Sequence, residues 1–411
     1  MLAPLRHPTY RKLFLAQVVA LVGTGLLTVA LSLQAYDFAG SHAGTVLGTA
    51  LTIKILMYVF AAPIMSAVVQ RLPVVAVLVG ADALRIAVAL LLPWVDNTAS
   101  LYAAIAILQL ASATFTPTFQ ALIPRIITAE DDYTAALSLS RLAYDLEAVA
   151  SPVFAAGALL IMSYHGLFIG TAGGFLGSLV LVLLAAPGFP ASHADEKQES
   201  LPKRSLRGVR YMGRIPELRS VLFLNLAIAA PMAMVLVNTV VILRDMFSRD
   251  DAAVAWLLAA FGVGSMALAF SLPRLRERFS DFSLMWSGAA ASISGMVLLY
   301  LVLISGWEWA LWAIWPLLGA SLSIMQTPIS QVLRTHTPEA DLTYVFAAQF
   351  SLSHACYLVA YPLAGWAGAG MGLPWVTLVL IIVGVFGTML SIHTSLDARQ
   401  FEHTEPVQTH N

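Results

Sequence analysis

Uncharged, apolar runs of about twenty residues recur twelve times along the chain, separated by shorter polar connections. A run of that length is what an α-helix needs to cross a hydrocarbon core about 30 Å thick at a rise of about 1.5 Å per residue. The runs cover approximately 13–36, 44–69, 73–95, 99–122, 134–162, 166–187, 218–243, 252–272, 282–304, 307–333, 342–367 and 371–394. The pattern predicts an all-α integral membrane protein with twelve transmembrane helices. The first run, Leu13 to Tyr36, is longer than the apolar region of a signal peptide and shows no small-residue cleavage site, so it is expected to remain as the first span.

Composition sharpens this picture. Only 11% of the 411 residues are charged, 22 basic and 23 acidic, against about 25% in a soluble domain. Apolar residues make up 59%, more than a water-soluble globule can bury. The 27 glycines and 20 prolines are spread through the apolar runs, which suits helices that bend and pack closely in lipid. The net charge of -1 and scattered basic residues give no footprint for nucleic acid. The one cysteine, Cys356, cannot build a disulfide framework or a thiolate metal site. No GxxxxGK[ST] sequence occurs, so no ATP site is expected, and nothing points to an enzyme or a cofactor.

The charges also set the orientation. With the N-terminus in the cytoplasm, 17 of the 22 basic residues fall on the inner side and only Arg244 and Arg249 outside, where Asp245, Asp250 and Asp251 neighbour them. Lysine and arginine favour the cytoplasmic side, so both termini are expected there, in the plasma (inner) membrane. The one long charged connection divides the chain into an N-terminal six-helix half at 1–190, a cytoplasmic linker at 191–216, a C-terminal six-helix half at 217–395 and a cytoplasmic tail at 396–411.

The two halves carry matching residues in the same order. Thr116-Pro117-Thr118-Phe119-Gln120-Ala121-Leu122 and Thr327-Pro328-Ile329-Ser330-Gln331-Val332-Leu333 share T-P-x-x-Q-x-L. Ser138-Leu139-Ser140-Arg141-Leu142-Ala143-Tyr144, then Pro152, matches Ser351-Leu352-Ser353-His354-Ala355-Cys356-Tyr357, then Pro362. Leu13-Phe14-Leu15 matches Leu222-Phe223-Leu224, and Leu72-Pro73 matches Leu272-Pro273. Four matches argue for a duplicated six-helix unit, with the copies parallel. Parallel six-helix halves joined by a cytoplasmic loop resemble the major facilitator superfamily over nearly the whole chain. The stretch from Ser138 to Glu147 and the opening Leu5-Arg6-His7-Pro8-Thr9-Tyr10 are similar to the branch that contains bacterial nickel and cobalt resistance exporters.

Departures from the resembled family carry information too. Its G-x-x-x-D-R latch between spans two and three is represented by Ser66-Ala67-Val68-Val69-Gln70-Arg71, in which only Arg71 matches. The exporter motif of span five, G-x-x-x-G-P-x-x-G-G, is represented by Ser151-Pro152-Val153-Phe154-Ala155-Ala156-Gly157, with Glu147 where the leading glycine is usual. His393, His403 and His410 near the C-terminus are sparser than the histidine tail of metal exporters.

Six ionisable residues fall inside spans: Lys54, Asp82, Arg85, Arg141, Asp145 and Glu147. Each costs about 2.5 to 3.5 kcal/mol to insert, which makes each a functional candidate. Arg141 and Asp145 are four apart and share a face, whereas Asp145 and Glu147 point about 200° apart. Either carboxylate is expected to exchange a proton or cation, with Arg141 and Lys54 as counter-charges. The alternative is two static pairs, Arg141 with Asp145 and Lys54 with Glu147. Asp82 and Arg85, three apart on span three, are expected to form a structural pair. His354 stands at the repeat position of Arg141 and is expected to take part in proton coupling or hydrogen bonding; His354 and Cys356 diverge on a helix and do not form a metal site.

The resemblance implies that spans one, four, seven and ten line the path. They carry polar, uncharged residues, including Gln17, Gln109, Asn225, Asn238 and Gln326. For any one of these the alternative is an interhelical hydrogen bond. The expectation is a monomeric secondary transporter working by alternating access, exporting small amphiphilic or toxic solutes in exchange for protons. Alternatives are a nickel or cobalt exporter and a non-transporting membrane sensor with the same fold. No resident metal is assigned.

Overall fold

The computed structural model describes residues 3–69, 72–190, 201–338 and 341–404. All regular structure among them is helical. The first span is Pro8–Ala39. The second runs through Ala43–Leu56, a π-helical segment Met57–Ala61 and Ala62–Val69. Spans three to six are Val74–Leu91, Thr98–Ile126, Glu130–Leu159 and His165–Ala185. Spans seven to nine are Pro216–Val240, Asp251–Arg276 and Asp281–Ser305. The tenth is Leu311–Gln326 followed by Ile329–Thr335, the eleventh begins as Leu342–Pro362, and the twelfth is Leu373–Thr404. Nine helical runs among the described residues are long and apolar enough to cross a membrane; the first of these, Pro8–Ala61, contains spans one and most of two.

Three local features differ from a plain helix per apolar run. Thr116-Pro117 lies inside the continuous span four, while the matching Thr327-Pro328 opens span ten between Gln326 and Ile329. Proline removes one backbone donor, so the ladder loses a rung at each site. After Pro362 the eleventh span widens into a π-helical turn, Leu363–Ala367. In the charged connection the chain forms a further helix, Leu201–Arg214, which a count of apolar runs does not detect. Span twelve continues to Thr404 because no proline or glycine interrupts 391–404.

The chain forms two compact units. One comprises residues 1–196 with 237–262, the other 197–236 with 263–411, so the ends of spans seven and eight that meet at 237–262 pack with the first six helices. Small residues set the closest approaches inside each unit. In the first, a Cβ added to Gly174 would come 2.8 Å from the Cα of Gly23, so spans one and six meet backbone to backbone. Nearer the start of span one, Tyr10, Leu13, Phe115, Phe119 and Ile123 form a buried core. In the second, Gly264 faces the Pro316 carbonyl and Gly387 lies against Phe223 and Leu226.

At one end of the first unit the connections close on one another. Tyr164 donates a hydrogen bond to Asp37 Oδ2 at 2.5 Å, Arg244 pairs with Asp251 at 3.1 Å, and the Arg244 guanidinium lies 5.2 Å from the centre of the Tyr36 ring. Burial and the Asp37 carboxylate push the Tyr164 phenol well above its usual pKa.

Large apolar side chains are exposed where lipid would lie, among them Leu91, Ile169, Phe270 and Phe386. In water such a surface would aggregate. Trp94, Trp307, Trp309 and Trp375 are also exposed, each at a helix end on the side the charge pattern places outside. Tryptophan favours that interface, where an apolar ring can keep its N–H wet.

Candidate functional site

Span five meets span one over a gap that only glycine can leave. A Cβ on Gly25 would overlap Ser151 and come 2.7 Å from Glu147 Oε1. Ser151 is fully buried and Glu147 is half-buried. A glycine on the partner helix therefore makes room for a carboxylate that interrupts the small-residue motif of span five. Lys54, also half-buried, approaches from span two and interacts electrostatically with Glu147. It stands three residues before the π-helical segment Met57–Ala61, where Met57 donates its N–H to both the Ile53 and Lys54 carbonyls. Such segments insert an extra residue per turn and re-aim side chains, often at functional sites. One residue into the segment, Tyr58 lies beside Thr116 on span four.

Two charges inside one bilayer-spanning bundle are tolerable because each offsets the other's desolvation. The structure thus brings together two of the residues singled out from sequence, Lys54 and Glu147, across the interior of the first half. The backbone at Arg141 and Asp145 belongs to the span-five helix, but their side chains lie outside the described residues, as does Arg71.

Asp82 and Arg85 form a buried ion pair on span three. The guanidinium also lies over two rings, 4.2 Å from the centre of Phe115 and 4.6 Å from that of Phe175. This cation is held on several sides at once, an arrangement that fastens spans three, four and six.

The polar residues of the expected path separate into different roles. Gln17 Oε1 accepts a hydrogen bond from Ser140 on span five at 3.0 Å, beside Tyr10, which donates to the Ala136 carbonyl at 3.0 Å. Asn225 on span seven exchanges two amide hydrogen bonds with Gln349 on span eleven, at 3.3 and 3.1 Å. Gln349 was not among the residues singled out from sequence, because it lies on a helix outside the four path-lining ones. Gln109 and Asn238 are buried, and Gln326 on span ten lies beside Tyr357 on span eleven.

His354 has a specific neighbourhood. Its Nδ1–H donates to the Phe350 carbonyl at 2.7 Å, since a carbonyl can only accept. Its ring centre lies 4.0 Å from that of Phe350 and 6.1 Å from that of Tyr357, and Tyr357 stacks on Tyr361 at 5.3 Å. The matching segment of span eleven is thus aromatic where that of span five carries charge. Among the described residues no group of three or more histidine, cysteine or acidic side chains is placed to hold a metal ion.

Comparison with known proteins gives the same architecture. The family model described as Major Facilitator Superfamily matches residues 13–314. No curated protein sequence matches the chain. Among solved structures, a bacterial homologue of the human lysosomal transporter Spinster, in an inward-facing and unoccupied conformation, superimposes with a TM-score of 0.74 at 13% identity, covering 99% of each chain. The nucleoside transporter NupG gives a TM-score of 0.74 at 13% identity over 94% of this chain and 99% of that one. A bacterial homologue of the iron transporter ferroportin gives 0.69 at 13% identity over 94% and 98%. At such identities the likeness is one of fold.

Proposed function

Because the chain belongs to the Major Facilitator Superfamily, we propose that it is a secondary active transporter of the plasma membrane, working by alternating access and exporting small amphiphilic or toxic solutes in exchange for protons. The observation that supports the coupling is Glu147 held over Gly25, within electrostatic reach of Lys54. Deprotonated, the carboxylate is held by the lysine; protonated, it releases the lysine, and the difference can bias one access state over the other. Polar but uncharged side chains at Gln109 and Gln326 suit a moderately polar or amphiphilic solute. Lys54 and Glu147 act as the exchanging pair, both termini lie in the cytoplasm, and the chain works as a monomer.

Transport by the purified chain in proteoliposomes tests this reading. A lipophilic cation should move in response to an imposed pH gradient. Movement that ignores the gradient would end proton coupling, movement of nickel or cobalt alone would replace the solute class, and no movement of any solute would favour a sensor.

A further inference from the structure

The helix Leu201–Arg214 is divided by its own periodicity into faces of different chemistry. Gly208, Tyr211 and Met212 form its docked face. A Cβ on Gly208 would overlap the Tyr344 carbonyl, Met212 is fully buried, and the Tyr211 hydroxyl donates to Asp341 Oδ2 at 2.5 Å. Arg207 pairs with Asp341 Oδ1 at 2.6 Å and lies over the Tyr344 ring, its guanidinium 5.1 Å from the ring centre, while its side chain remains 51% exposed. The polar contacts are to Asp341, which precedes span eleven, and the close backbone contact is to Tyr344 in its first turn, so the helix lies against the start of that span.

A second face carries Arg207, Arg210 and Arg214, spaced three and four residues apart and all exposed. A third presents Val209, 40% exposed, and Gly213. A helix held against the start of a span, with one basic stripe and an open apolar edge, has the chemistry of an interfacial helix. Its basic residues outnumber its acidic ones completely, since 201–214 contains no aspartate or glutamate.

We propose that this helix binds the headgroups of anionic phospholipids, with Arg210 and Arg214 on the phosphates, Val209 against the acyl boundary, and the Asp341 contacts holding the helix against span eleven. The surface thereby makes the connection between the two six-helix repeats sensitive to the charge of the bilayer. Its test does not depend on what the chain transports.

The full chain, purified in neutral detergent, is titrated with phosphatidylglycerol, phosphatidylcholine or glycerol phosphate, and bound lipid is counted by native mass spectrometry. Phosphatidylglycerol should bind preferentially, and the double variant Arg210→Gln/Arg214→Gln should bind it roughly 30-fold more weakly, since each basic residue near an anionic surface contributes about fivefold. The charge-preserving variant Arg210→Lys/Arg214→Lys should keep most of the affinity, and raised salt should weaken wild-type binding. Equal binding of phosphatidylcholine, an unchanged glutamine variant or salt-independent binding would overturn the proposal. Glycerol phosphate binding as tightly as the lipid would overturn it in favour of a soluble phosphate site.

Discussion

The crossing of spans one and five in the first half, and that of spans seven and eleven in the second, share a polar junction and differ deeper in the bundle. In the first half Gln17 meets Ser140; in the second Asn225 meets Gln349. Further along, the repeat register set by Phe14-Leu15 and Phe223-Leu224 matches Gly25 with Met234, and Glu147 matches Ala360 by the register of Ser138-Leu139-Ser140 with Ser351-Leu352-Ser353 and Tyr357 by that of Pro152 with Pro362, neither of them charged. Leu72-Pro73 and Leu272-Pro273 match Lys54 with Val254. Met234, Ala360 and Val254 are all buried and apolar. A fold that is satisfied by apolar residues at these positions in one half does not need charges there in the other. At these three positions the charges that only the first half carries are the better candidates for chemistry.

Removing the lysine should disturb the molecule most. Lys54→Met removes the positive charge that acts on Glu147 across the interior, and a charge left uncompensated inside a bundle costs about 3 to 5 kcal/mol. Val254→Met, at the matching position, should cost about 1 to 3 kcal/mol as simple overpacking. Detergent thermal unfolding of the two variants, with pH-driven transport beside it, checks the difference. Equal losses would erase the distinction between the halves.

Next in size is the space beside the carboxylate. Gly25→Val must push span five away from span one and should cost about 1 to 3 kcal/mol, while the nearly volume-conserving Met234→Leu should stay below about 1.5 kcal/mol. Only the glycine variant should also slow transport, because only it displaces Glu147. Smaller still is the amide pair. A double-mutant cycle on Asn225→Ala and Gln349→Ala should return a coupling near 0.6 kcal/mol and no more than about 1.7 kcal/mol, with transport retained. Loss of coupled transport in Asn225→Ala would move that residue from packing to the path.

The smallest effect lies at the linker. Hydrogen bonding to Asp341 raises the Tyr211 pKa, so the protonated phenol is the form that the docked helix favours. That contribution is complete below the ordinary tyrosine pKa of about 10 and fades as pH rises through the raised value. Ultraviolet titration should find one phenol fewer ionising near pH 10 in wild type than in a sample whose helix is undocked by Asp341→Asn.

Much of the fold was legible because lipid admits few backbone solutions: a run of about twenty apolar residues has to be a helix, and twelve such runs with basic residues between alternate pairs order themselves. The helix Leu201–Arg214 was not legible that way, since its stability comes from docking on Asp341 and Tyr344 rather than from an apolar run. The π-helical turn at Met57–Ala61 leaves no mark in composition. At the site, the cost of charge in a bilayer pointed to Lys54 and Glu147, and their pairing stood as one of two alternatives. Gly25 carried no such signal. Its role comes from a contact across more than a hundred residues of chain, and a glycine in an apolar run reads the same whether or not a carboxylate lies above it.

The proposed coupling stands or falls on Glu147 as the exchanging carboxylate. Proteoliposomes containing Glu147→Gln, loaded with a lipophilic cation and given a pH gradient, test it most directly. Folded protein whose solute movement no longer follows the gradient is the predicted result; a variant that follows it as wild type does would contradict the claim.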